Sequence, residues 1–433
     1  MTEFLIIGAG PTGLGAAHHL HHNGQPYTLL EQSDQAGGLA ASFVDAMGFT
    51  WDIGGHVQFS HYPQFDAVMD SIFPPSGWLQ HTRSAWAWMQ ERFVPYPVQQ
   101  HLEALPSQLA QACRAGLPTA PPAAQPAADF AAWMLQQFGA AFTETFMRPY
   151  NLKVWAHPPE AMSSDWIAER VAPPTQGTAS WGPNSRFRFP AQGGTGHIWN
   201  TLAARLPAIR YRSTVSSIDT ARRELTCTDG SRHRYKHLIS TMPLDALCRL
   251  TGLPQLAAAQ ALRHSATHVV GLGMRGACPP QLQGKSWIYF PEDNCPFYRA
   301  TVFSNYSPHH VPAGGPYWSL MTETSASEHK PVDAQTIVHD TVRGCLATGL
   351  ITSEADICSR WHHHAPYGYP VPTLSRDAVL AQVMPQLEAL GIYSRGRFGG
   401  WKYEVSNQDH SFMQGAQLAA RLLHGTAETI YRY

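Results

Sequence analysis

The 433-residue sequence predicts an α/β chain with an inserted helical domain and a separate antiparallel β-sheet domain, and three observations carry that reading. A short apolar run, Phe4–Ile7, leads directly into a glycine turn and the helical stretch Leu14–His22, the strand-turn-helix order of a layered parallel-sheet domain. After the first hundred residues the pattern turns helical: 105–128 is rich in Ala and Pro and reads as a connector, and Phe130–Phe146 reads as one amphipathic helix. From Thr267 to Thr324, β-branched and aromatic residues alternate in Thr267–Gly273, Trp287–Phe290 and Tyr317–Leu320, the period of strands that present one face to a core.

Taken in order, the strand Phe4–Ile7 is followed by Gly8-Ala9-Gly10-Pro11-Thr12-Gly13. Gly8 permits the tight turn, Gly10 lets backbone N–H groups approach a pyrophosphate, and Gly13 lets the helix lie close to the sheet. The helix N-terminus then faces the anion. A second strand, Tyr27–Leu30, ends at Glu31, about twenty residues on, where a carboxylate binds the two hydroxyls of an adenosine ribose. A dinucleotide site on a Rossmann-like domain follows. A second glycine pair, Gly37-Gly38, brings backbone near an extended cofactor, an arrangement that favours FAD over a nicotinamide. A third pair, Gly54-Gly55, precedes His56 and permits a backbone that sets the imidazole against a flat ring.

Farther along, Gly193-Gly194 returns to a glycine turn before a helix, and Leu225–Thr228 and Arg232–Leu238 read as a hairpin closed by Asp229-Gly230. Residues 399–424 read as a polar loop and then a helix from about Asp409 that closes the cofactor site. The expected division is 1–98, 186–245 and 390–433 for the nucleotide domain, 99–185 for the helical domain, and 246–389 for the antiparallel sheet.

Composition narrows the function classes. Lys and Arg total 30 against 31 Asp and Glu, so no basic footprint for nucleic acid or an anionic membrane exists. No stretch approaches the ~18 apolar residues of a spanning helix, and the N-terminus shows no leader. The seven cysteines are odd in number and lack CxxC spacing, which points to a reduced, cytoplasmic protein without structural zinc. His18 and His22 lie i, i+4 on the first helix, and His362–His364 form a run, but no carboxylate or Cys accompanies them; no metal is expected. Three segments dense in aromatic and polar residues, Phe146–Trp155, Trp181–Asn184 and Phe297–Thr301, read as a cleft lining. Arg170 and Arg299 are candidates for a dianionic diphosphate, which wants paired guanidiniums.

Long motifs then carry a resemblance: Trp51-Asp52-Ile53-Gly54-Gly55-His56-Val57, Phe59-Ser60-His61-Tyr62, Val94-Pro95-Tyr96-Pro97, Phe146–Trp155, Trp181-Gly182-Pro183-Asn184, Tyr289–Thr301 and Asn407–Met413. Over about residues 4 to 415 the chain resembles the UDP-galactopyranose mutases, in their fungal and protozoan form. The resemblance implies interconversion of UDP-galactopyranose and UDP-galactofuranose without net redox change, with N5 of reduced FAD as nucleophile at the anomeric carbon. It implies NADPH or NADH as reductant and a homo-oligomer. By motif, Arg170 and Arg299 with Tyr369 and Tyr403 would hold the diphosphate, and His56 would sit by the flavin. Tyr96, Gln99, Phe146, Asn151, Trp155 and Tyr289 would cradle uridine, and Asn184 would face the sugar. Arg83, Arg397, Asn407, Gln408 and Ser411 would join Gly8, Gly10, Gly13, Glu31, Gly38 and Gly55 in contacting FAD.

The chain departs from that pattern at Val98, where the family carries Phe beside the uracil pocket, and at Gln58, which replaces an aliphatic residue. It also lacks a long insertion before Gly315 and most of a C-terminal extension. Three alternatives stay open: a pyranose–furanose mutase of another nucleotide sugar, a flavin amine oxidase or desaturase on the same fold, and a non-catalytic flavin-binding protein.

Overall fold

The computed structural model describes residues 2–118, 127–167, 171 and 183–433. Its first sheet has seven strands, and Thr2–Ile7 lies centrally, parallel to Tyr27–Leu30 on one side and to Arg232–Ser240 on the other. Ile392–Ser394 pairs parallel beside Arg232–Ser240, while Val215–Asp219 and Glu224–Cys227 extend the sheet antiparallel from that strand's first half. The continuous apolar run at 4–7 is explained by burial on both faces. Phe4 and Ile6 meet Leu14, Ala17 and Phe412 on one face, whereas Leu5 and Ile7 meet Leu238, Leu380 and Val383 on the other.

Two helices, Pro11–His22 and Gln408–His424, cross on the first of these faces. Their backbones touch where no side chain fits. A Cβ on Gly15 would lie 2.1 Å from the Phe412 carbonyl oxygen, and one on Gly415 would lie 1.9 Å from that of Thr12.

The second sheet also has seven strands, in the order Ile357–Val371, Arg263–Arg275, Tyr317–Ala326, Arg299–Thr301, Trp287–Tyr289, Ala85–Met89 and Arg92–Pro95. All neighbours are antiparallel except Trp287–Tyr289 with Ala85–Met89. Segment 85–95, which sequence order places with the nucleotide domain, thus supplies two strands to this sheet. Gly271 and Gly273 sit where Trp51 and Phe49 press against it, leaving 2.5 Å for a Cβ.

The helical region contains Ser107–Gly116, Phe130–Phe142 and Arg148–Trp155. The single helix expected over Phe130–Phe146 is instead bent at Gly139 (φ 69°), because a Cβ there would lie 1.9 Å from the Gly116 carbonyl oxygen. A widened turn over Thr143–Met147 then rejoins the next helix. Among the described residues no helix is long and apolar enough to cross a membrane.

Four histidines, His18, His56, His268 and His310, are pushed down to about 4, in each case first by burial. The unfolded chain takes up these protons near the ordinary value of 6.5 while the folded chain does not. Their stabilisation is therefore complete above that value and is lost as pH falls toward 4. The thermal midpoint of the cofactor-free protein is expected to drop steadily from pH 7 to 5; a flat midpoint would contradict this.

Candidate active site

The two sheets meet around one continuous cavity of about 950 Å³, at the upper end of the size of small-molecule sites. One end is built from the glycine turns. Gly8 holds φ +97°, and a Cβ on Gly13 would lie 1.8 Å from the Gly8 carbonyl oxygen, so Gly13 serves close helix–strand packing and does not itself line the cavity. Gly10 and Gly38 abut, with a Cβ on Gly38 3.4 Å from the Gly10 Cα. Side chains at either place would fill the space the turns leave open.

Glu31 is buried at this end. Its Oε2 accepts from the Ala9 amide at 2.6 Å and its Oε1 from the Ser33 amide at 2.8 Å. A carboxylate offers about four acceptor sites, so capacity remains for the two hydroxyls of a ribose. The helices beginning at Pro11 and Gln408 both start at the cavity wall, aiming two positive helix ends at it. Gln408 is fixed by two donors on its Oε1, Trp199 Nε1 at 2.7 Å and Gln58 Nε2 at 2.9 Å. Gln58, the departure in the histidine loop, thereby ties that loop to the C-terminal helix.

His56 lines the middle of the cavity, following Gly54 at φ +91°. Burial holds its imidazole neutral, outweighing Glu323, with Arg397 and Arg299 adding to the effect. Its Nδ1 is buried without a hydrogen-bond partner among the described residues, and an orphaned polar atom on a cavity wall calls for a ligand. With the glycine cradle and Glu31, the residues fit a bound dinucleotide whose flat ring reaches His56.

Beyond His56, Arg299 and Glu323 form the charged centre. They are direct cross-strand partners, and the guanidinium donates Nε to Oε1 and Nη2 to Oε2, both at 2.7 Å. Glu323 also accepts from Tyr298 Oη at 2.7 Å and from the Gly55 amide at 3.0 Å. Burial opposes its ionisation, yet Arg299 and these donors hold its carboxyl below the usual range. For Arg299, too, burial opposes the charge, and Glu323 outweighs it. The Tyr298 and Tyr369 hydroxyls lie 3.2 Å apart, and Arg397 stacks over Tyr369 and Tyr403 at 4.9 and 5.4 Å while donating to the Gly368 carbonyl and Ser406.

The far end is aromatic. Tyr96 and Tyr289 have centroids 4.6 Å apart, Phe146 stacks on Tyr150 at 5.3 Å, and Trp155 meets Tyr403 edge-on at 4.9 Å. Asn151 donates to the Met147 carbonyl, Arg83 donates to Asn184 Oδ1, and Gln99 is buried against the same space. Burial raises the Tyr96, Tyr289 and Tyr369 phenols, so all three stay protonated donors at neutral pH.

The cavity therefore brings together Gly8, Gly10, Glu31, Gly38, Gly55, His56, Arg83, Tyr96, Gln99, Phe146, Asn151, Trp155, Asn184, Tyr289, Arg299, Tyr369, Arg397, Tyr403, Asn407, Gln408 and Ser411. Arg170, with Trp181 and Gly182, lies outside the described residues. Not singled out in the sequence are Glu323 at the charged centre and the buried Arg376, which grips Glu404 beside Tyr403 with two bonds of 3.0 and 2.9 Å; Tyr298 and Tyr150 stand within the segments read as cleft lining and join the charged centre and the aromatic wall. The one available signal for Glu323 was an acid within an otherwise uncharged strand, Tyr317–Ala326. The helix-1 histidines are only partly exposed: His21 and His22 face solvent while His18 and His19 are half-buried. A further cluster, His61, Asp409 and His410, joins the segment after the histidine loop to the C-terminal helix, with His61 Nδ1 2.6 Å from Asp409 Oδ2.

Comparison with known proteins agrees with this geometry. Residues 11–421 match the flavin containing amine oxidoreductase family. A crystal structure of reduced UDP-galactopyranose mutase superposes with a TM-score of 0.93 at 43% identity, over 99% of this chain and 94% of that one. A fatty acid isomerase from P. acnes (TM-score 0.68, 15% identity, 98% of this chain and 99% of that one) and putrescine oxidase with bound putrescine (0.65, 15%, 98% and 99%) share the fold alone. Among curated sequences, 70 residues are 33% identical to 15-cis-phytoene desaturase of Narcissus pseudonarcissus, covering 16% of this chain and 12% of that protein.

Proposed function

The chain belongs to the UDP-galactopyranose mutases, within the flavin containing amine oxidoreductase family, and from that premise we propose that it interconverts UDP-galactopyranose and UDP-galactofuranose without net redox change. The observation that carries the reading is one cavity joining a dinucleotide cradle to a half-buried, carboxylate-held arginine. FAD bound there in its reduced form would supply the nucleophile for the anomeric carbon. We assign its pyrophosphate to the Gly8–Gly13 turn and the two helix ends, its ribose to Glu31, and its ring system to the space beside His56, Arg83 and Arg397.

The protein's own groups then manage the leaving nucleotide. Arg299, with Tyr369 and Tyr403, holds the diphosphate, and the fixed positive charge stabilises UDP as it departs and keeps it in place to return. Arg170 is proposed as the second guanidinium. The wall of Tyr96, Phe146, Tyr150, Trp155 and Tyr289 takes the uridine and excludes water from the separated sugar and nucleotide. His56, neutral at working pH, adds no positive charge beside the ring and offers one donor and one acceptor nitrogen. A nicotinamide reductant, a homo-oligomeric assembly and a cytoplasmic location complete the proposal.

The test is anaerobic. Enzyme reduced with dithionite is expected to convert UDP-galactofuranose to UDP-galactopyranose, followed by chromatography, while oxidised enzyme does not. Reduced, FAD-loaded enzyme that binds UDP yet converts neither isomer would overturn the assignment, and stoichiometric oxygen consumption with an oxidised product would support an oxidase instead.

A further inference from the structure

We propose that Glu323 is a positioning residue that couples diphosphate binding at Arg299 to the histidine loop at Gly55-His56, so that occupancy of one site is felt at the other. The inference rests on the function proposed above for the choice of ligand. The coupling itself comes from the hydrogen bonds. Oε1 takes Arg299 Nε and the Gly55 amide, and Oε2 takes Arg299 Nη2 and Tyr298 Oη. All four acceptor sites of a carboxylate are thereby used. A dianion drawing Arg299 toward itself therefore changes the oxygen that the Gly55 amide bonds, Oε1.

The surroundings leave little slack for that change to dissipate. A Cβ on Gly54 would lie 3.1 Å from Glu323 Oε2, and one on Gly55 would lie 2.8 Å from Thr301 Oγ1 and 3.8 Å from Arg299 Cζ. Glu323 is 3% exposed and stands on a strand paired on both sides, so the carboxylate moves less readily than the glycine loop facing it. Gln58 anchors the far end of the loop, while the Gly54–Gly55 end is joined to the saturated carboxylate by the Gly55 amide and so has two arrangements available, with that bond made or released. A bistable element of this kind transmits binding free energy between sites.

Linkage makes the proposal measurable without turnover, because a flavin redox change that acts on the loop beside His56 returns, through Glu323, as a change in nucleotide affinity. UDP is titrated anaerobically into oxidised and dithionite-reduced holoenzyme. Wild type is expected to show Kd values differing by roughly fivefold or more between the two states. Glu323→Gln, with its FAD content unchanged, is expected to bring the two values within about twofold, that is, to remove most of this coupling. UDP should correspondingly shift the flavin midpoint potential in wild type and not in the variant. A variant that keeps the wild-type ratio, or a wild type with equal affinities in both states, overturns the coupling while leaving the mutase assignment standing. Failure of wild type to bind UDP in either state overturns both. Should the variant not fold, hydrogen exchange in wild-type holoenzyme decides: UDP is expected to alter exchange in peptides spanning 51–58, and unchanged exchange there overturns the proposal.

Discussion

Arg299→Ala is expected to lower kcat/KM by at least about 10³-fold while the protein stays yellow. Removing one preorganised donor from a developing anion costs roughly 10²–10³ in kcat, and here a second loss is added. Glu323 is held ionised against burial chiefly by Arg299; without that partner its carboxyl rises and the buried charge loses its main counter-ion. Breaking a buried pair from one side costs about 3–5 kcal/mol, so a lowered thermal midpoint should accompany the loss of turnover. The contacts proposed for the FAD pyrophosphate and ribose lie elsewhere, at the glycine turns, Glu31 and the C-terminal helix, which is why colour should persist. Lysine should not rescue, since it cannot reproduce the two parallel bonds from Nε and Nη2. Steady-state kinetics with flavin absorbance checks all three points; a variant within tenfold of wild type would remove Arg299 from the leaving-group site, and a colourless one would place it on the cofactor.

Gly415→Val is expected to give protein that is insoluble or free of flavin. The clash is backbone against backbone, 1.9 Å from the Thr12 carbonyl oxygen and 2.8 Å from the Ala16 amide, so no side chain can swing aside. Overpacking in a yielding core costs about 1–3 kcal/mol, and here the two helices must part, taking both of their N-termini off the cavity wall. Gly425→Asn is the control: a Cβ there meets nothing within 4 Å, and Asn accepts the left-handed conformation of this helix end. Expression, flavin content and melting of the two variants decide the matter. A Gly415→Val protein with full flavin and an unchanged midpoint would show that the helix contact is not needed.

The features legible in the sequence are those whose physics is local. The Gly8–Gly13 turn, Glu31 some twenty residues on and the Asp229-Gly230 hairpin follow from spacing along one stretch of chain, and the structure holds each where it was read. What stayed hidden depends on partners far away in sequence. Glu323 acquires its role only through pairing of its strand with Arg299, 24 residues earlier, and through a bond to Gly55, 268 residues earlier. His61 and Asp409 are 348 residues apart. The bend at Gly139 answers a carbonyl of another helix, which no periodicity within 130–146 reports. Most of the aromatic and arginine positions were reached through a family resemblance, because an isolated Arg or Tyr in a sequence does not say which cavity it faces.

The cavity takes its glycine turns from residues 8–38 and its opposite wall from residues 396–411, segments far apart in the sequence. Synthesis runs from one to the other, so the nucleotide motif made first waits, without its second helix, until residues 408–424 have left the ribosome. A nascent chain has the fingerprint of the site but no site. Cofactor capture therefore waits for the segment 396–411 to be made, long after the glycine turns.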